Sequence, residues 1–123
     1  MGKHVDMKKI LFLLALTAAS PAEAATWKLV AENGTTKAWI DLDTVKRGSD
    51  AIGAWYRISL PKREWATGFA AVRCESKMYM ELRLTFYEAD GSSTNMDERL
   101  KKEWEMPVPD SIMDGVVDGI CEQ

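Results

Sequence analysis

Histidine is almost missing from this 123-residue chain, which holds only His4. From Ala25 onward there is none, so that part lacks the commonest general base at neutral pH. Cysteine is scarce as well, with only Cys74 and Cys121. Two thiols without a nearby histidine make a poor metal site, and no cofactor is expected. No Ser or Lys sits in a recognisable nucleophile motif. Internal repeats, linkers and low-complexity segments are absent. The apolar run Ile10 to Ala19 falls well short of the about 20 residues that span a bilayer. No basic stripe is present, and Glu103 to Gln123 carries six acids and no base. That charge pattern argues against nucleic acid and against anionic membranes as partners.

What is present begins with an export signal. Lys8 and Lys9 precede the apolar run, and Pro21 and Ala22-Glu23-Ala24 follow it. This order predicts a secretory signal over 1–24, cleaved after Ala24, with translation from Met1 or from Met7. The mature chain would then be a single domain over 25–123 with no membrane span, periplasmic or secreted. Residues 1–24 hold three of the 16 bases and two of the 19 acids, leaving 13 and 17, a net charge of −4. A domain this small gains from a covalent constraint. Export would place Cys74 and Cys121 in an oxidising compartment, where a disulfide is expected rather than two free thiols.

The mature chain reads as strands followed by one helix. Trp27 to Glu32 alternates loosely, with Trp27, Leu29 and Ala31 on one side. Asn33-Gly34 is a hairpin signal, and Thr35 to Leu42 returns. Ile52 to Leu60 alternates cleanly, and Phe69 to Glu75 forms a further strand. In "KMYMELRLTFY" Met78, Met80, Leu82, Leu84 and Phe86 share one face, and Tyr79, Glu81, Arg83, Thr85 and Tyr87 the other. A short strand is expected near Thr94 to Asp97. Ile112, Val116 and Ile120 recur at helical spacing after Pro109, with Ser111 and Asp114 resembling a capping box and Asp110 the alternative cap. Gly115 and Gly119 each weaken that helix by about 1 kcal/mol relative to Ala. The fold class is therefore α+β: an antiparallel β-sheet meander with a C-terminal α-helix tied to it through Cys74–Cys121.

Three motifs invite chemistry. Asp41-Leu42-Asp43-Thr44 has the D-x-D-x-T form of a phosphatase nucleophile, but a small antiparallel meander offers no parallel α/β frame for it. A strand end followed by an Asx-type turn accounts for every residue. Met78 and Met80 could bind copper in an exported protein, yet their place on the aliphatic face predicts core packing. The aromatics remain. Trp39, Trp55, Arg57, Tyr79, Arg83 and Tyr87 fall opposite the aliphatic side chains, and Trp, Tyr and Arg are the types enriched at interface hot spots. A single bulge would exchange the faces.

Taken in order, Trp27, "WIDLDTVKR", "AIGAWYRISL", Cys74, "MELRLTFY" and Trp104, Pro107, Pro109, Ser111, Ile112 before Cys121 resemble the surface-adhesin protein E family of Gram-negative bacteria. The resemblance spans Trp27 to Cys121. It implies the same sheet and disulfide-tied helix, a structural role for the D-L-D segment, and adhesion or dimerisation as the activity. The chain departs from that family's anchored member in having no cysteine at the predicted cleavage point. The reading is a non-enzymatic, exported binding module that engages a protein partner, such as a host matrix protein, or itself as a homodimer. The alternative is a periplasmic inhibitor of a cell-wall hydrolase such as lysozyme, with loops 61–68 and 90–95 and the basic pair Lys62 and Arg63 entering an acidic cleft.

Overall fold

The computed structural model describes residues 25–123. The predicted signal over 1–24 lies outside the described residues. The elements are β1 (Trp27–Asn33), β2 (Thr36–Asp41), β3 (Lys46–Arg47), β4 (Ile52–Ser59), β5 (Trp65–Arg73), β6 (Met78–Tyr87), β7 (Ser93–Asn95) and α1 (Ile112–Cys121). The strands form one antiparallel sheet in the order β1-β2-β4-β5-β6-β7, with β3 extending the β2 side of β4. Gly34 takes the left-handed conformation (φ 65°) in the β1–β2 hairpin, as the Asn33-Gly34 pair predicts. Among the described residues no helix is long and apolar enough to cross a membrane.

Helix α1 covers one face of the sheet, over β1, β2 and β4. The core there is Ala38 and Ile40 of β2, Ile52, Ala54 and Tyr56 of β4, Ala70 and Val72 of β5, and Val116, Val117 and Ile120 of the helix. Most of these side chains are small, so the layers approach closely. Any side chain at Gly68 would overlap the Tyr56 ring, and one at Gly119 would overlap Val30. The glycines that weaken α1 as a helix are the residues that let it lie against β1. Ser111 caps α1, its Oγ accepting from the Asp114 amide at 3.2 Å. The reciprocal bond is displaced by one residue, because the Asp114 carboxylate accepts from the amide of Asp110 at 2.9 Å.

The disulfide forms between Cys74 and Cys121, tying the end of β5 to the end of α1. Beside it Lys77 reaches Asp118 at 2.6 Å and Asp114 at 3.4 Å. Sheet and helix are thus held by a covalent bond and an ion cluster at one end.

Several expectations need correction. Strand β5 begins at Trp65 rather than Phe69. Its inward residues Ala66, Gly68 and Ala70 are too small to give an apolar signal, yet they are the floor on which Tyr56 packs. Residues 65–68 are therefore strand, and the 90–95 loop contains β7. The second correction concerns β6. Between Phe69–Arg83 and Ala70–Glu81 the β5–β6 register shifts by one residue, a β-bulge at Leu82. Before the bulge, Tyr79 and Glu81 turn to the helix side, and Met78 and Met80 turn away from it. After the bulge, Leu84 and Phe86 lie on the helix side. A second bulge in β1, between Leu29 and Ala31, separates those residues onto opposite faces.

Candidate functional site

The face opposite α1 is built from alternate residues of five strands. Register places Trp27 and Leu29 beside Asp41 and Trp39, Trp39 beside Arg57, and Arg57 beside Thr67 and then Thr85. Trp55 adjoins Phe69 and then Arg83, and Ser59 adjoins Trp65 and then Tyr87. Trp104 reaches the same side under Arg73, whose guanidinium lies 3.9 Å from the ring centre. All five tryptophans of the chain are therefore on this face. Each is half-buried, and none belongs to the core beneath the helix.

The rings interlock. The Arg57 guanidinium lies 4.5 Å from the Trp27 ring centre and 4.4 Å from that of Trp65. Trp65 stacks on Tyr87 at 4.0 Å with 14° between planes. The result is a row Trp27–Arg57–Trp65–Tyr87 that crosses the sheet from β1 to β6. Each cation–π contact contributes about 0.5–2 kcal/mol. Trp55 meets Phe69 edge to face at 5.5 Å in a second row.

Of the six residues expected on this face, the structure brings Trp39, Trp55, Arg57, Arg83 and Tyr87 together. Tyr79 is the exception. It packs against the core under the helix, and its backbone pairs with Glu105. The bulge at Leu82 is the physical reason. It also carries Met78 and Met80 to the tryptophan side, paired with Arg73 and Ala71, instead of into the core. Trp27 and Trp65 belong to the row although neither is among those six. Trp65-Ala66-Thr67-Gly68-Phe69 does alternate large and small, which is the signal that could have found Trp65.

The D-L-D segment organises the row. Asp41 Oδ1 accepts from the Thr26 amide at 3.3 Å and from the Asp43 amide at 3.1 Å. Asp43 accepts from the Thr26 hydroxyl at 3.0 Å, and the Leu42 amide donates to the Thr26 carbonyl at 2.8 Å. Thr44 Oγ1 donates to the Asp41 carbonyl at 2.9 Å and accepts from the Trp55 amide at 3.1 Å. Both carboxylates thus hold the chain just before Trp27, and Thr44 holds β4 at Trp55. These bonds fix two aromatic residues of the face.

On the helix side Tyr79 and Glu81 join Tyr56 in a small polar cluster. Burial pushes the Glu81 carboxyl above the usual glutamate range, the hydrogen bond from Tyr56 opposes that shift, and the nearby Glu105 charge adds to it. Burial likewise pushes the Tyr56 hydroxyl well above the usual tyrosine range. The 61–64 loop is less open than its sequence suggests, because Arg63 pairs with Glu88 at 3.4 Å and lies 4.3 Å over Phe86. A polar cleft of about 460 Å³ at the far end is lined by Arg47, Asp50, Arg73 and Glu75 among others. Its acids and bases balance, with Arg73 already paired to Asp50 at 3.7 Å.

The fold has a counterpart among solved structures. The structure of Haemophilus influenzae protein E matches it with a TM-score of 0.57 and 16% sequence identity, over 78% of this chain and 83% of that one. That likeness establishes a relationship of fold. No family model and no curated protein matches the chain.

Proposed function

We propose that the chain is a non-enzymatic, exported binding module that engages a protein partner through the tryptophan face. One observation carries this reading: the fold places all five tryptophans on the side away from the helix and uses none of them in its core. A soluble domain has no folding need to gather that much aromatic surface on one half-covered sheet face, whereas interfaces are enriched in Trp, Tyr and Arg. The carboxylates of the D-L-D segment are occupied by chain-holding hydrogen bonds, which supports the non-enzymatic part. The predicted signal supports a site of action in the periplasm or outside the cell.

Photo-crosslinking in the producing cell tests the proposal. A benzophenone side chain introduced at Thr85, on the tryptophan face, should give a defined protein adduct. The same group at Glu122, on the helix side, should give none. Adding Trp39→Ala and Trp55→Ala should abolish the Thr85 adduct while circular dichroism shows an intact fold. Equal labelling from both positions, or none from Thr85, would discard the face as the site.

A further inference from the structure

The charges on the tryptophan face narrow the kind of partner it takes. The described chain is acidic, but its acids are not spread evenly. Asp110, Asp114, Asp118 and Glu122 all lie on or beside α1. On the tryptophan face the ionic groups divide differently. Lys37 pairs with Glu32 at 3.9 Å and Arg73 with Asp50 at 3.7 Å. Asp41 is enclosed by backbone amides. Arg57 and Arg83, and Lys46 on the same side by register, have no carboxylate within ion-pair distance among the described residues. The face thus carries three cations without an ion-pair partner among the described residues, in a molecule that is anionic overall.

Arg57 is the unusual member. It stands half-buried between two indole rings at the centre of the sheet. Its Nε and the neighbouring Thr67 Oγ1 are buried without a hydrogen-bond partner among the described residues. Surroundings of low polarity strengthen the pull of such a cation on an incoming carboxylate. A planar guanidinium held between two rings is also pre-organised to take a carboxylate in a two-pronged bond.

The geometry of the rings decides between ligand types. Sugar recognition would need open ring faces. In this row Arg57 covers Trp27 and Trp65, and Trp65 and Tyr87 cover each other. Trp65 has no free face, so the centre of the row offers a ring edge and the Arg57 guanidinium, which suit the backbone and side chains of a polypeptide. The row crosses from β1 to β6, four strand spacings or about 19 Å, the length of about six extended residues.

We infer, resting on the binding reading above, that the tryptophan face takes an extended acidic segment of a protein partner, with Arg57 receiving a carboxylate and Arg83 a flanking one. The tryptophans supply the readout, because every one of them lies on the occupied face. Three twelve-residue peptides serve as probes: alternating Glu-Val, its Gln-Val counterpart and its Lys-Val counterpart. Each is titrated into the protein purified from the producing cell with its disulfide intact, and followed by tryptophan fluorescence. The Glu peptide should bind saturably, at least tenfold more tightly than the Gln peptide, and the Lys peptide should not bind. Raising salt should weaken the Glu complex. Arg57→Met keeps a long side chain between the rings and should remove most of the Glu preference. Arg57→Lys, which restores the charge, should recover part of it.

Equal affinity for the Glu and Gln peptides would overturn the inference. So would saturable binding of polygalacturonate without binding of the Glu peptide, which would assign the face to an acidic polysaccharide. In the first case the Thr85 crosslink would still stand if the face binds protein by other contacts. Loss of that crosslink would instead remove the underlying reading, so the two failures are told apart.

Discussion

Glu81 shows how much one residue's surroundings depend on a local irregularity. Without the bulge at Leu82 it would share the open face with Arg83. With the bulge it sits beside Tyr56 on the helix side, and burial raises its pKa. A carboxyl whose folded pKa is raised contributes stability while protonated, below its unfolded value of about 4.3. That contribution is lost as pH rises through the higher folded value. Glu81→Gln keeps an acceptor for the Tyr56 hydroxyl and removes the charge that also opposes Glu105. It should raise the melting temperature at neutral pH, with the gain vanishing below about pH 4. A thermal melt at both pH values checks this, and a gain of equal size at both would refute the assignment. Tyr56 acts at the other end of the scale. Its raised hydroxyl pKa means that the unfolded chain releases that proton first, so stability should fall above about pH 10. Tyr56→Phe should lessen that alkaline loss when unfolding is followed by denaturant at rising pH.

Helix α1 is the element whose sequence and role pull apart. Two glycines at helical positions lower its intrinsic stability, and by propensity alone Gly119→Ala should help by about 1 kcal/mol. The methyl would meet Val30 of β1, and overpacking a close contact costs about 1–3 kcal/mol. The expected outcome is a lower melting temperature, by several degrees in a domain of this size. A higher one would mean that β1 yields easily. At the other end of the helix, Ser111→Ala removes the cap on the Asp114 amide and should destabilise by about 1 kcal/mol, measured by urea unfolding. The glycine change acts through the sheet and the serine change through the helix alone, so their effects should add.

The whole molecule is a sheet with one helix on one side, and its two faces have different makers. The helix side is held by small apolar residues, the ion cluster at Lys77 and the Cys74–Cys121 bond. That bond closes a loop of 47 positions. Cys74→Ser with Cys121→Ser should lower stability by about 4 kcal/mol in the chain-entropy account. Chemical unfolding of the double variant measures it, and an unchanged midpoint would show that the bond adds nothing. The tryptophan row should survive this change better than the helix, because it is held by stacking across the strands and by the D-L-D clamp on Thr26. Near-ultraviolet circular dichroism, which reports on the aromatic rings, should therefore persist where the helical signal has already weakened.

What the sequence by itself determined was local and periodic. Alternation marked β1, β2, β4 and β6, Asn33-Gly34 marked their first hairpin, and the spacing of Ile112, Val116 and Ile120 with Ser111 before them marked the helix. The pairing of Cys74 with Cys121 was expected from their number and from the predicted signal. Five of the six residues expected to share the face opposite the helix do share it, because period two holds along any unbroken stretch of strand. Tertiary structure decided the rest. A bulge is a property of two paired strands, so the turning of Tyr79 inward and of Met78 and Met80 outward cannot be read from β6 alone. The early start of β5 depends on Ala66 and Gly68 making room for Tyr56, a side chain of the neighbouring strand. The union of Trp27, Arg57, Trp65 and Tyr87 requires four segments to be laid side by side in one register. Local sequence sets which way each side chain points relative to its neighbours in the chain; only the pairing of strands sets which side chains it meets across the sheet.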